Sequence, residues 1–362
     1  SAVIDSIAGA IEWRVTDTGW NAVAKELTFD RNGQQWPASN IGIDFSEVDS
    51  LQKITASANY LRMDDLVPLL QSLDLTQLKD LGLTGLPYGE LRDFEFFISR
   101  TGENILKYDL SGDFSALGYV SPDHGIDIMG FSGSVTADKT GGSLELDARN
   151  ARFGLASVFR KVLPINRLSG VLVWRSSPDS YRVLANNLEL ETPHGQADAS
   201  FELTTNLEFD EPWIDLRASA SINDISQADI YLPTVLPSKV SDWLEVALVG
   251  GQVPDATVKL RGPLEKFPFA DDSGEFFITA NFCDSSLAYG PGWPAATNAS
   301  GTLIFSGPSL YTVENTLRVG GIDVTNVDAR IEDFRDGLLT INATAQTELT
   351  KVLGFLQNSP IR

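Results

Sequence analysis

The chain has 362 residues, 43% hydrophobic and 21% charged, which is ample apolar material for a large core or an extended apolar surface and argues against disorder. Lys and Arg total 27 against 49 Asp and Glu, a net charge of −22, so no basic stripe is available for a phosphate backbone and nucleic acid drops out as a partner. A single cysteine, Cys283, excludes an internal disulfide framework and a cysteine-built zinc site.

In chain order, the opening SAVIDSIAGAIEW lacks a basic stretch followed by an apolar one, and no window of about 18 uncharged apolar residues occurs. Ser1 runs almost directly into a strand pattern and the chain stops after a helical one, so it reads as an excised segment of something longer. Apolar residues at three-to-four spacing predict helices over 63–80 (an insertion near 61–81), 154–162, 237–248 and 347–357, with Pro68 breaking or starting the first. Period-two alternation predicts half-buried strands at 168–174, 199–205, 214–222, 256–261, 275–282 and 338–344.

An internal repeat ties these elements together. Residues 7–13 (IAGAIEW), 168–174 (LSGVLVW) and 299–305 (ASGTLIF) share one pattern, with 131–137 (FSGSVTA) a weaker copy. A second aromatic follows the glycine after 11, 11 and 10 positions: Trp20, Tyr181 and Tyr311. That spacing predicts hairpins with an aromatic on each strand. Alternation puts Ile11 with Trp13, Leu172 with Trp174, and Leu303 with Phe305 on one face of each strand. A sheet of about 20 strands at roughly 4.8 Å spacing extends on the order of 100 Å, so its apolar face has to be covered by helices, by curling or by a ligand. A closed β-sandwich is the alternative, and parity alone leaves open which face is the covered one.

Chemical motifs are sparse. His124 and His194 lie in turn-like stretches 70 residues apart and read as loop residues, not metal ligands. Ser132 in GFSGS misses the G-x-S-x-G spacing of a nucleophile elbow, and no P-loop, dinucleotide fingerprint or EF-hand loop occurs. Acidic residues such as Asp323, Asp328 and Asp333 raise a glycoside hydrolase as an alternative, but the aromatics share parity with Leu and Ile and not with carboxylates. The expectation is no catalytic residue, no metal, no cofactor and no enzyme.

Three stretches follow one another in fixed order: FGLASVFRKVLPINRLSGVLVW (153–174), DISQADIYLPTVLPSKVSDWLEVALVGGQVPDATVKLRGPLEKFPF (224–269) and SLAYGPGWPAATNASGTLIFSG (286–307). Through them the chain, from about residue 130 onward, resembles the YhdP family of AsmA-like envelope proteins. The resemblance divides the chain into an N-terminal β-repeat segment, 1–129, and a YhdP-like segment, 130–362. The fold it implies is mainly β with a few short helices, a long, strongly twisted and curled antiparallel sheet forming a U-shaped apolar groove, similar to the bridge-like lipid transfer proteins. Ile11, Trp13, Leu172, Trp174, Leu303 and Phe305 become the expected groove lining. The implied partners are phospholipid acyl chains, the inner membrane through an N-terminal anchor outside this chain, and outer-membrane or periplasmic proteins. The implied place is the periplasm of a Gram-negative bacterium and the implied role is lipid transport and outer-membrane homeostasis, with a structural or partner-binding β-scaffold as the second reading.

Overall fold

The computed structural model describes residues 5–31, 33–66, 86–232, 234, 238–333 and 338–361. The expected mainly β fold is present: the described residues include 19 strands of one antiparallel sheet, in which strands adjacent in sequence are neighbours except that Ser39–Val48 pairs with Gly19–Arg31 past the short strand Gln34–Gln35. By contacts the chain forms two compact units, Ser1–Leu155 with Arg167–Pro178, and Ala156–Asn166 with Asp179–Arg362. The segment boundary expected at 129/130 falls inside a strand, Ile126–Asp138, because it marked where the resemblance sharpens and not where contacts thin out.

In the first unit, β1 (Ser6–Thr16) pairs with β2 (Gly19–Arg31), which carries the two-residue β3 (Gln34–Gln35) and then pairs with β4 (Ser39–Val48). The meander continues through β5 (Leu51–Arg62), β6 (Leu86–Thr101), β7 (Asn104–Ser121), β8 (Ile126–Asp138), β9 (Gly141–Leu155) and, from Arg167 onward, β10 (Leu163–Ser176). At one end Phe29, Trp36 and Tyr60 form a buried cluster with Ile41, Leu61 and Leu66 against it. A helical turn at 63–66 is tied there by Asp65, which is 5% exposed and accepts from Trp36 Nε1 (2.8 Å) and Arg31 (3.0 Å). The remainder of the helix expected over 63–80, Pro68 included, lies outside the described residues.

The second unit holds β11 (Ser180–Thr192), β12 (Gly195–Asn206), β13 (Trp213–Ile222), β14 (Leu248–Pro263), β15 (Glu275–Leu287), β16 (Ala296–Ser306), β17 (Ser309–Val319), β18 (Ile322–Ile331) and β19 (Thr340–Ala345). Between β13 and β14 come a 3₁₀ turn, Ile225–Tyr231, and α1, Ser238–Ala247; α2, Leu349–Gln357, follows β19. Both α-helices sit where the spacing placed them. The helix expected at 154–162 is absent: β9 takes residues 154 and 155, and turns follow. Thr234 explains the loss, since its N–H and hydroxyl donate to the carbonyls of Val158 (2.9 Å) and Ser157 (2.7 Å), oxygens a helix would need for itself. The seven residues left are also too few to nucleate a helix unaided.

A set of left-handed residues shapes both units. Glu26, Asp93, Ala116 and Asn150 in the first, and Asn187, Asp284, Asn298, Glu314 and Asn326 in the second, have φ between 47° and 57° inside strands. Most mark register shifts in the ladders, as β-bulges do. Each extra residue resets the alternation, so apolar side chains stay on the same face on both sides of it. In β11, Val183 and Ala185 precede Asn187, and Leu188 and Leu190 follow it. Asn and Asp suit these positions because they tolerate the left-handed region better than other side-chain-bearing residues.

Candidate functional site

Residues directly opposite in an antiparallel ladder point to the same face, so the pairings trace rows across each unit. In the first unit one row runs Trp13, Ala22, Ile43, Ala56, Phe96, Leu110, Ala137, Gly142. Trp174 closes it: a Cβ on Gly142 would lie 2.2 Å from the Trp174 ring, so glycine is needed for the indole to lie flat there. The row one residue over reads Glu12, Val23, Gly42, Ser57, Glu95, Ser111, Thr136, Ser143, and faces the other way. One face is thus almost wholly apolar and its reverse mainly polar. A concavity of about 840 Å³ on that side has a mixed lining, with Thr55, Ser57, Glu95, Asp109 and Arg175 beside Phe97 and Val173.

The second unit repeats the contrast. Leu188, Ala199, Ala218, Val258, Ile278, Phe305, Leu310 and Ile331 form one row, and Leu190, Ala197, Ala220, Ala256, Ala280 and Leu303 form the next on the same face. Between them Glu189, Asp198, Ser219, Thr257, Thr279, Ile304, Tyr311 and Arg330 point to the reverse face. The alanine-rich row keeps the apolar surface shallow beside the larger residues of the first row.

The six expected lining residues occupy these faces within their own units. Ile11 pairs with Ala24 beside the Trp13 row, and Leu172 alternates in step with Trp174; Leu303 and Phe305 stand in the two rows of the second unit. Their exposure differs: Ile11 is 73% and Trp13 61% exposed on β1, and the other four are half-buried. Trp13 stacks on Trp20 at 4.7 Å, and Trp20 on Phe45 at 6.1 Å, giving the hairpin of paired aromatics that the repeat predicted. The third copy departs from it. Tyr311 pairs with Ile304, not Phe305, and points to the polar face, where Arg330 lies 5.7 Å over its ring. The one-residue difference in spacing, 10 against 11, is what turns it over.

Cover on the apolar face of the second unit comes at its margins. Val352 and Phe355 of α2 pack on the buried Ile322, Val324 and Val327, and Phe355 also meets Trp293. Tyr231 donates to Thr192 Oγ1 (2.9 Å), which itself donates to Gly195 O, and the Tyr231 hydroxyl also lies 2.9 Å from His194 Nδ1. Burial pushes the Tyr231 phenol up from its ordinary range against the Thr192 hydrogen bond. Lys161 pairs with Asp229 and, at 3.1 Å, with Glu245, holding α1 and the 3₁₀ turn to the 156–162 loop. Trp243 of α1 donates to Tyr289 O (3.2 Å) and stays 42% exposed.

Sequence comparison bears on the whole of this surface. The family model described as YhdP protein matches residues 1–362. The chain belongs to the YhdP family. Membership therefore covers 1–129 as well, beyond the stretch from about residue 130 that carries the motifs. Among curated proteins, the chain is similar to the intermembrane phospholipid transporter YhdP of Escherichia coli (strain K12), 23% identical over 356 residues. That alignment takes in 95% of this chain and 28% of the relative, so the chain spans under a third of the protein it resembles. No solved structure matches.

Within this YhdP-family chain, two features of the apolar face escaped sequence reading. The bulges were hidden because they appear only as a doubled polar step, as in ANNLEL (185–190) and ARNARF (148–153), which looks like a lapse in alternation. The FPF stretch (267–269) ends the second family motif, but the seat of Phe269 on the apolar face depends on close approach to Gly262 and Gly274. Among the described residues, no helix is long and apolar enough to cross a membrane.

Proposed function

We propose that this chain is a non-enzymatic lipid-binding segment that shelters phospholipid acyl chains on the apolar faces of its sheet, as part of a protein moving lipid between membranes. The observation that carries the reading is the two-faced sheet, apolar along ladder rows in both units and mainly polar behind them. The name of the relative, an intermembrane phospholipid transporter, supports it from a separate direction.

Each acyl methylene taken from water contributes about 0.8 kcal/mol, so about ten of them supply several kcal/mol even after ordering costs. Apolar contacts have no direction, and the alanine-rich row offers neighbouring sites of nearly equal depth, so a chain slides without a deep trap. The headgroup stays in water. Ile11, Trp13, Leu172, Trp174, Leu303 and Phe305 are assigned to the lining of a U-shaped groove, and the place of action to the periplasm of a Gram-negative envelope. There the whole protein, anchored in the inner membrane, serves outer-membrane homeostasis. Organic extraction of the purified chain tests the reading: phospholipid recovered at a fixed ratio to protein is expected. Its absence from a folded, lipid-exposed chain would favour the β-scaffold with a closed core.

A further inference from the structure

We infer that the loop between β14 and β15 is a lip on the apolar face of the second unit, and that Phe267 is a positioning residue touching bound acyl chains at that margin. The inference rests on the lipid-binding reading above and adds to it a residue and an edge.

The loop, residues 264–274, is braced by backbone hydrogen bonds. Leu264 N–H donates to Pro212 O (2.9 Å), Phe267 N–H to Leu264 O (3.2 Å) and Phe269 N–H to Lys266 O (2.7 Å). Phe269 seats it: the side chain is 4% exposed and lies across two glycines, so that a Cβ on Gly262 or Gly274 would come within 2.9 or 2.8 Å of its ring. Gly262 pairs with Ile214 in the ladder whose next apolar pair is Leu216 with Leu260, which puts Phe269 on the apolar side.

The neighbouring phenylalanine is placed differently. Phe267 is half-buried and meets Phe276 edge-on, centroids 4.8 Å apart, while Phe276 lies 6.2 Å from Phe305. Phe276 pairs with Leu260 and Phe305 with Ile278, so both are apolar-face residues, and Phe267 carries that surface off the strand ends onto the loop. Without it, a chain lying over Phe305 would reach the polar backbone of the β14–β15 turn. Phe269 therefore anchors the loop, while Phe267, edge-on to both Phe269 (6.2 Å) and Phe276, keeps part of its ring exposed to meet a ligand.

The test is site-specific photo-crosslinking in the full chain. p-Benzoylphenylalanine replaces Phe267, Phe305 or, on the polar face, Thr257, and each variant is irradiated after incubation with palmitoyl-oleoyl phosphatidylcholine vesicles. Lipid adducts at Phe267 and Phe305 and none at Thr257 are expected. Phe267→Ala is expected to lower retained lipid about fourfold, the loss of roughly one methylene contact, with Phe267→Leu restoring it and the melting temperature held by Phe269. An adduct at Phe305 with none at Phe267 would overturn the lip and leave the lipid reading standing. No adduct at either would overturn both, and equal adducts at Thr257 would overturn the assignment to this face.

Discussion

Ala116 holds φ 50° in the bulge of β7, a conformation that costs a β-carbon roughly 1–2 kcal/mol, while its exposed methyl packs on little. Ala116→Gly relieves that strain and gives back part of it as unfolded-chain entropy. A net stabilisation of about 0.5 kcal/mol is expected in urea titration. Gly133→Ala goes the other way, because the new methyl would lie 1.9 Å from Glu145 O, and a loss of about 3 kcal/mol or more is expected. At Glu90, burial pushes the carboxyl up, but hydrogen bonds from Tyr60 and Arg92 and the charges of Arg92 and Arg62 outweigh it and hold it below the ordinary glutamate range. A depressed carboxyl stabilises above its unfolded value, about pH 4.3, and that contribution fades as pH falls through the lower folded value. Glu90→Gln is expected to cost about 1–2 kcal/mol at pH 7 and to flatten stability below about pH 4.3, read from melting temperature against pH. Single residues were legible where alternation was unbroken, as at Leu303 and Phe305. Tyr311 was not, since a spacing one residue shorter reverses its face without changing the composition of the motif.

At the scale of elements, helices were legible where they carried a whole amphipathic pattern. Helices α1 and α2 fall within the stretches 237–248 and 347–357, whereas 154–162 shows comparable spacing yet lends its carbonyls to Thr234. Sequence periodicity cannot see a competing donor some 75 residues away. α2 holds to the sheet through Val352 and Phe355, while Leu349, at 72% exposed, and Leu353, at 50%, look outward. Phe355→Ala is expected to destabilise by about 2 kcal/mol, less than a fully buried ring. Hydrogen exchange should locate the change, with α2 amides exchanging faster and the β17–β18 ladder still protected.

At the scale of the whole molecule, repeated hairpins keep apolar residues in register along each unit, and in the longest strands, such as β6 and β7, bulges are the means by which they do so. The two-faced character was readable from the repeat and its parity. The rows were not, because register depends on which residue each bulge inserts. The central claim is that lipid lies on the apolar face. Native mass spectrometry of the purified chain, beside a Leu172→Asp/Leu303→Asp double variant and a Thr257→Asp control, tests it most directly. With all three folded by circular dichroism, phospholipid is expected on the wild type and on Thr257→Asp and to be lost from the double variant. Equal lipid on all three, or none on the wild type, would contradict the account.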